Sequence, residues 1–591
     1  MDQSRKNRIA QWVFDTRPML LRFHLWLEDV EETWRQGGEG DASFVGAALE
    51  RAFIMSAGVT ALGTWLFGGH GDGKEHKEQD KAAFNRIKKD ADAVSAYALS
   101  EALWYLTRNL PENHAVMVSA GEGLMPKAGE SPEMGSNPLL GFGRVYARAQ
   151  VGKFLDRRVH RLLNDPGYGW DDFTQKLQAE RLTVWGAAID TLENTTRFAA
   201  GENSGPMTLL HLYDQPLTMY TPYEGYFGNL ILSRQVVDHA ARESVLIDFH
   251  TPRRKVVEAI RGAHPEIPAE RIHVWTLGGR ARVKRLQGLW RQWHELGVHL
   301  VEPGWKIPGG GEVFTDSGTY APVARVGSFA DGDGRRHYFL CDGYSASAEA
   351  VQAASLDPIF DNRSAMCLFS STFKLPWEGE RRVMRLDPDS PGFAADLRAI
   401  AGEELEADLI ESYRAAIGAA RAAGLPCDKR SITIDDFFAR KDWRVLAVAG
   451  YILDDPYTGL PGVEEVGEGT YRVTVRSATR QQLRDVTLTL KLLEPQKESR
   501  LVFSPLLNRF FSGQDFRSRA VKVSDSGRLR NELQTLCSDA LEYFGGDGIR
   551  VHMDRIDDAV MPPERKRLIL EVLRWYKEHH PVWFQWLELP T

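Results

Sequence analysis

VLIDFHTPRRKVVEAIRGA at 245–263, followed by IHVWTLG at 272–278, is the stretch on which the reading of the fold turns. An apolar run of strand length, a helical pattern with charges on one side, and a second apolar run describe a βαβ unit. The pattern continues outward. ARVKRLQGLWRQWHEL (281–296) reads as a helix, VHLVEP (298–303) as a strand, HYFLCD (337–342) as a strand and ASAEAVQAASL (346–356) as a helix, with MCLFSS (366–371) as a further buried strand. Near-continuous apolar strands alternating with helices predict an α/β fold: a mostly parallel central sheet with helices on both faces.

The flanks differ in texture. Residues 1–110 read as a helical N-terminal region. Ala52–Gly69 (AFIMSAGVTALGTWLFGG) carries no charge over 18 residues. Its glycines, serine and threonines, and the charged pattern before it, favour a buried core helix over a membrane span. Ala82–Asn109 is a second helix. Beyond Pro111, HAVMV (114–118) is a short apolar run, a helical pattern runs from Phe142, and another helix is expected over 172–199. Residues 381–591 read as an α+β C-terminal domain. In it TYRVTVR (470–476) and DVTLTLKLL (485–493) alternate with period two as an antiparallel pair, and a Trp-rich helical segment closes the chain. This gives three regions, 1–110, 111–380 and 381–591.

Composition bounds the function. Of 591 residues, 43% are hydrophobic and 26% charged, and the formal net charge is −8, so bulk charge gives no reason to expect a nucleic-acid binder. The four cysteines, Cys341, Cys367, Cys427 and Cys537, form no CxxC pair and no zinc spacing. With no signal-peptide pattern at the N-terminus, a cytoplasmic protein with reduced thiols is expected, and no membrane partner.

In parallel sheets, ligands bind at the carboxyl ends of strands. Asp248 and His250 close VLIDFH, Glu302 closes VHLVE, Asp316 ends EVFTD and Asp342 ends HYFLCD. These are the candidate acid, base or metal-ligating groups, with Asp248, His250 and Asp316 able to hold a divalent cation, Mg or Mn. His250 is the expected proton carrier. Arg253 sits in a first helical turn, where a cation opposes the helix dipole and an anionic ligand would relieve it. Arg280, after Gly278-Gly279, and the turn Gly343-Tyr344-Ser345-Ala346-Ser347 offer further anion contacts, and Lys374 lies just past a buried strand. Each has an ordinary alternative: acidic residues end strands where the chain re-enters water, and glycine–serine turns cap helices. Ser119–Gly123 and Gly141–Arg144 are incomplete as nucleotide-binding loops, and no nucleophile elbow, HExxH helix or EF-hand loop occurs.

The resulting expectation is a metabolic enzyme acting on a small phosphorylated or carboxylated substrate by acid/base or metal-assisted chemistry: a lyase, isomerase or hydrolase. A nucleotide-dependent transferase or dehydrogenase, and a non-catalytic ligand-binding or scaffold protein, are the alternatives. Aromatic residues in the terminal segments suit a homo-oligomer as well as core packing.

Overall fold

The computed structural model describes residues 27–35 and most of 47–492; within that span 122–139, 219–224, 277–282, 315–319 and some shorter stretches lie outside the description, as do 1–26 and most of 493–591. In chain order the strands are β1 (Leu27–Arg35), β2 (His114–Gly121), β3 (Val145–Ala147), β4 (Thr183–Glu193), β5 (Met207–Tyr213), β6 (Tyr226–Ser233), β7 (Ile272–Trp275), β8 (His299–Leu300), β9 (Gly327–Ala330), β10 (Arg336–Ala346), β11 (Asn362–Phe369), β12 (Val445–Tyr451), β13 (Glu464–Gly467), β14 (Thr470–Ala478) and β15 (Leu483–Leu492).

They form two mixed sheets, and two further short strands, Ile549–Arg550 and Leu587–Glu588, pair in parallel by themselves. The first sheet runs β1-β15-β14-β12-β5-β4-β2-β3, with β13 on β14; the second runs β11-β6-β10-β7-β8, with β9 on β10. Pairing is mostly antiparallel. Only β2–β4 in the first sheet and β10–β7–β8 in the second are parallel. The expected mostly parallel central sheet is therefore corrected. Its βαβ logic holds locally, for 272–275, 299–300 and 336–346, but VLIDF contributes no strand: 245–248 is irregular, and Leu246 is 81% exposed. MCLF belongs to β11, which lies antiparallel to β6. A short apolar run carries no period of its own, so whether it becomes a strand depends on a neighbour to pair with.

Other expectations shift for the same reason. The helix expected over 172–199 is instead a helix at Trp170–Ala179, the strand β4 and a one-turn helix at Thr195–Ala199. Leu27–Arg35, inside the region read as helical, is a strand paired with β15. The helices Ala47–Phe67 and Lys81–Asn109 form as read, as does the antiparallel pair β14–β15. The first of these helices buries Phe53, Ile54, Ala57, Ala61 and Leu62, and its Ser56, Thr60 and Thr64 hydroxyls donate to carbonyls four residues back. Among the described residues no helix is long and apolar enough to cross a membrane.

The sheets face each other across a shared core. Met207, Leu209, Ala447 and Tyr451 of the first pack with Ile231, Trp275, Phe339 and Cys341 of the second. The helix Ser347–Ser355 lies between the layers, with Ala348, Ala350, Val351 and Ala354 in the apolar cluster that carries β2 and β4 residues. The outer face of the second sheet is covered by the helices Arg234–Arg242, Arg253–Ala263 and Val283–Glu295, which bury Val236, Ile260 and Trp293. Strand alternation sorts β10 accordingly: Phe339 and Cys341 face inward, whereas Tyr338, Leu340 and Tyr344 face those helices.

Candidate metal centre

β4 is buried along almost its whole length, and its last residues include two buried carboxylates, Asp190 and Glu193. Asp190 and Glu193 are three positions apart, a spacing that points to opposite faces of a regular strand. The register against β5 shifts between them, and this irregularity brings both carboxylates to one side. Glu349 arrives from the other direction, in the first turn of the helix Ser347–Ser355, where its Oε2 accepts the Ala346 backbone N–H at 3.1 Å. One carboxylate oxygen from each of Asp190, Glu193 and Glu349 lies within 4.8 Å of the others.

The electrostatic consequence is strong. Burial, then the charge of Glu193 and a hydrogen bond with it, and the charges of Glu349 and Asp92, push the Asp190 carboxyl well above the usual carboxylate range. Asp92, on the helix Lys81–Asn109, accepts from the Thr195 hydroxyl at 2.9 Å. Such a cluster favours a shared proton or a bound cation. An all-oxygen ligand set suits a hard divalent ion such as Mg or Mn.

From Glu349 a polar stripe continues along the same helix face at spacing three, through Gln352 and Ser355. Gln352 donates to the Ala188 carbonyl of β4 at 3.3 Å, and Ser355 Oγ lies 2.8 Å from His211 Nδ1 of β5. Asn229 donates to Ser345 Oγ at 2.9 Å on the inner face of the second sheet. Gln352 Oε1, His211 Nε2 and Asn229 Oδ1 are buried and have no hydrogen-bond partner among the described residues. Burial pushes His211 down to about 3, so this imidazole stays neutral. The space between the sheets thus carries uncommitted polar groups along with the three carboxylates.

The residues singled out from sequence fall elsewhere. Asp248 lies in the loop before the helix Arg253–Ala263, where it pairs with Arg430 and accepts from the Thr251 hydroxyl at 3.1 Å. His250 Nε2 sits 3.6 Å from Cys367 Sγ. This contact is not an activated thiolate pair: burial pushes the thiol up to about 12, and burial together with Arg381 pushes His250 down to about 4. Arg253 does meet the anion that its first-turn position calls for, and the anion is internal. Its Nε and Nη2 donate to the two oxygens of Asp342 at 2.7 Å each, and Trp293 Nε1 donates to the same carboxylate at 2.7 Å.

Gly343, Tyr344 and Ser345 are not a turn but the continuation of β10; Ser347 opens the next helix. Tyr344 is buried against Phe373, with ring centroids 4.4 Å apart. Glu302 is exposed in the loop after β8, and Lys374 is exposed. Arg280 and Asp316 lie outside the described residues. Asp248 and His250 share a loop on the outer side of the second sheet; Asp342 points into the helical layer there, and Glu302 stands apart from both. With Asp316 outside the description, the other four positions are not gathered at one open mouth: Asp342 is fully buried and Glu302 is exposed.

Asp190 obeys the rule used for the others, an acid closing an apolar run (TVWGAAID), at the end of a parallel neighbour of β2. Reading 172–199 as a helix concealed it. Glu349 carries only the signal of an acid three residues into a helix, which is that of a cap. No protein-family model and no curated protein matches the chain.

Proposed function

We propose that this chain is a cytoplasmic enzyme in which Asp190, Glu193 and Glu349 hold a divalent cation, Mg or Mn, that acts on a small phosphorylated or carboxylated substrate. The reaction class best suited to that centre is metal-assisted hydrolysis or lyase chemistry. One observation carries the reading: three carboxylates, brought from two different layers of the fold, present oxygens within 4.8 Å of one another in a largely buried setting. Keeping three such groups together is costly, because each added negative charge raises the cost of the next. A cation removes that cost. Its remaining coordination positions would take oxygens of an anionic substrate, which the metal orients and polarises.

The hydrogen bond between Asp190 and Glu193, with the raised Asp190 carboxyl, favours a second reading in which the two share one proton and act as a metal-free acid/base pair. The two separate cleanly. Full-length protein stripped with a chelator is assayed against a panel of phosphorylated and carboxylated metabolites, with and without Mn²⁺ or Mg²⁺. The metal reading expects turnover that needs the ion and is lost in Asp190→Asn and Glu349→Gln. Turnover that survives the chelator but is lost in Asp190→Asn supports the acid/base pair. Turnover unaffected by either variant refutes both.

A further inference from the structure

A second cluster of ligating side chains lies at the far edge of the second sheet and uses none of the carboxylates above. His273 of β7 is directly opposite His299 of β8 in the parallel register. His337 of β10 lies two residues before Phe339, the register partner of His273, and so shares its face. The three imidazoles form a continuous chain: His299 Nδ1 to His273 Nδ1 at 2.9 Å, His273 Nε2 to His337 Nδ1 at 2.9 Å, and His337 Nε2 to Asp331 Oδ2 at 3.3 Å.

The protons in this chain are fixed from one end. Asp331 Oδ1 accepts the backbone N–H groups of Asp333 and Arg335 at 2.9 and 2.8 Å, as an ionised carboxylate does. Its other oxygen can only accept, so His337 donates from Nε2, and in the neutral tautomer its Nδ1 lone pair faces His273. His273 must then donate from Nε2, which leaves a lone pair on Nδ1 aimed at His299. An acceptor behind a metal-ligating imidazole orients it and raises its basicity, and His337, backed by Asp331, is placed to act as that acceptor for His273. Trp305 closes one side, 4.5 Å from the His273 ring and 5.1 Å from that of His299. His299 is only half-buried at the end of an edge strand, so the pair is reachable from solvent.

We propose that His273 and His299 chelate a borderline divalent transition metal, Zn²⁺, Co²⁺ or Ni²⁺, through their two Nδ1 atoms, with His337 and Asp331 as the positioning residues behind His273. On binding, the His299 proton moves from Nδ1 to Nε2, and both Nδ1 lone pairs turn to the ion. The 2.9 Å separation is that of two ligands about 2.0–2.1 Å from one metal at a right angle. Water completes the coordination, and the exposed Glu302, whose charge acts on His299, stands on the solvent side.

The test uses full-length, metal-stripped protein with Mg²⁺ in excess, so that oxygen-ligand sites do not contribute. Co²⁺ is titrated by its visible absorption and Zn²⁺ by competition with a chelating dye. One equivalent of each is expected to bind. His273→Gln and His299→Gln abolish the Co²⁺ band, while His337→Gln and Asp331→Asn leave the site present but weaken it by about 10–100-fold. Ni²⁺ quenches Trp305, so the quench is lost in Trp305→Phe. His299→Gln alters a half-exposed residue at a strand end, and its unchanged melting temperature and circular dichroism serve as the folding control. Wild-type protein that binds neither ion, or binding undiminished in His299→Gln, overturns the proposal.

Discussion

Replacing Asp342 by Asn tests the packing of the second sheet more sharply than any other single change. The carboxylate accepts three bonds at 2.7 Å, two from Arg253 and one from Trp293, and the paired side chains are 2% and 0% exposed. The amide keeps the shape but removes the charge, and one of its two terminal atoms becomes a donor facing a guanidinium. Arg253 Nη1 keeps its bonds to the Phe249 and Thr251 carbonyls, so the cation stays buried without its counter-ion. Leaving one member of a buried pair alone costs about 3–5 kcal/mol. At about 1.4 kcal/mol per factor of ten, amide-exchange protection should fall by roughly 150- to 4,000-fold, measured by mass spectrometry on peptides covering 253–263 and 336–346. The double variant Arg253→Met/Asp342→Leu, which removes both charges and keeps apolar volume, should recover most of that protection. Protection in Asp342→Asn within threefold of wild type would show that the buried pair does not hold this layer. So would a double variant as labile as the single one.

Two further outcomes follow from the packing and the titration of the core. A Cβ on Gly450 of β12 would stand 2.5 Å from the Ala57 carbonyl oxygen of the helix Ala47–Phe67, so Gly450→Ala should cost about 1–3 kcal/mol and lower the melting temperature; an unchanged melting temperature would contradict this helix-on-sheet contact. Burial pushes Glu380 up to about 7, against hydrogen bonds from Tyr413 and the Leu375 and Ser370 backbone. Because the folded value lies above the unfolded one, the stability held by the neutral carboxyl is fully present below about pH 4 and is lost as pH rises through about 7. Glu380→Gln, which cannot ionise, should therefore gain on wild type between pH 5 and 8 in chemical denaturation; a difference that stays flat with pH would contradict the buried neutral acid.

Sequence pattern identified some elements and missed others for reasons visible in particular residues. β14 and β15 show period two because one face is polar, with Thr487, Thr489 and Lys491 against Val486, Leu488 and Leu490. The helices Ala47–Phe67 and Lys81–Asn109 are long enough for composition and length to identify them. β5 (MTLLHLY) and β12 (VLAVAGY) are buried at every position, and such runs carry no period to distinguish strand from helix. VLIDF has the same composition, but its chain stays irregular with Leu246 in solvent. Local composition was legible; strand pairing was not, because it depends on residues hundreds of positions apart, as when β5 lies between β4 and β12. The candidate site followed the same division. Asp190 carries the signal of an acid at the end of a buried strand, but Glu349 meets Asp190 only through the tertiary fold.

Whether Asp190, Glu193 and Glu349 form one cation site is decided by Mn²⁺ binding to the metal-stripped full-length chain, followed by electron paramagnetic resonance. The account predicts one bound Mn²⁺ displaced by Mg²⁺, a melting temperature that rises with ion concentration, and loss of both effects in Asp190→Asn and in Glu349→Gln. Wild-type protein that leaves all the Mn²⁺ free, or variants that bind it as wild type does, would contradict it.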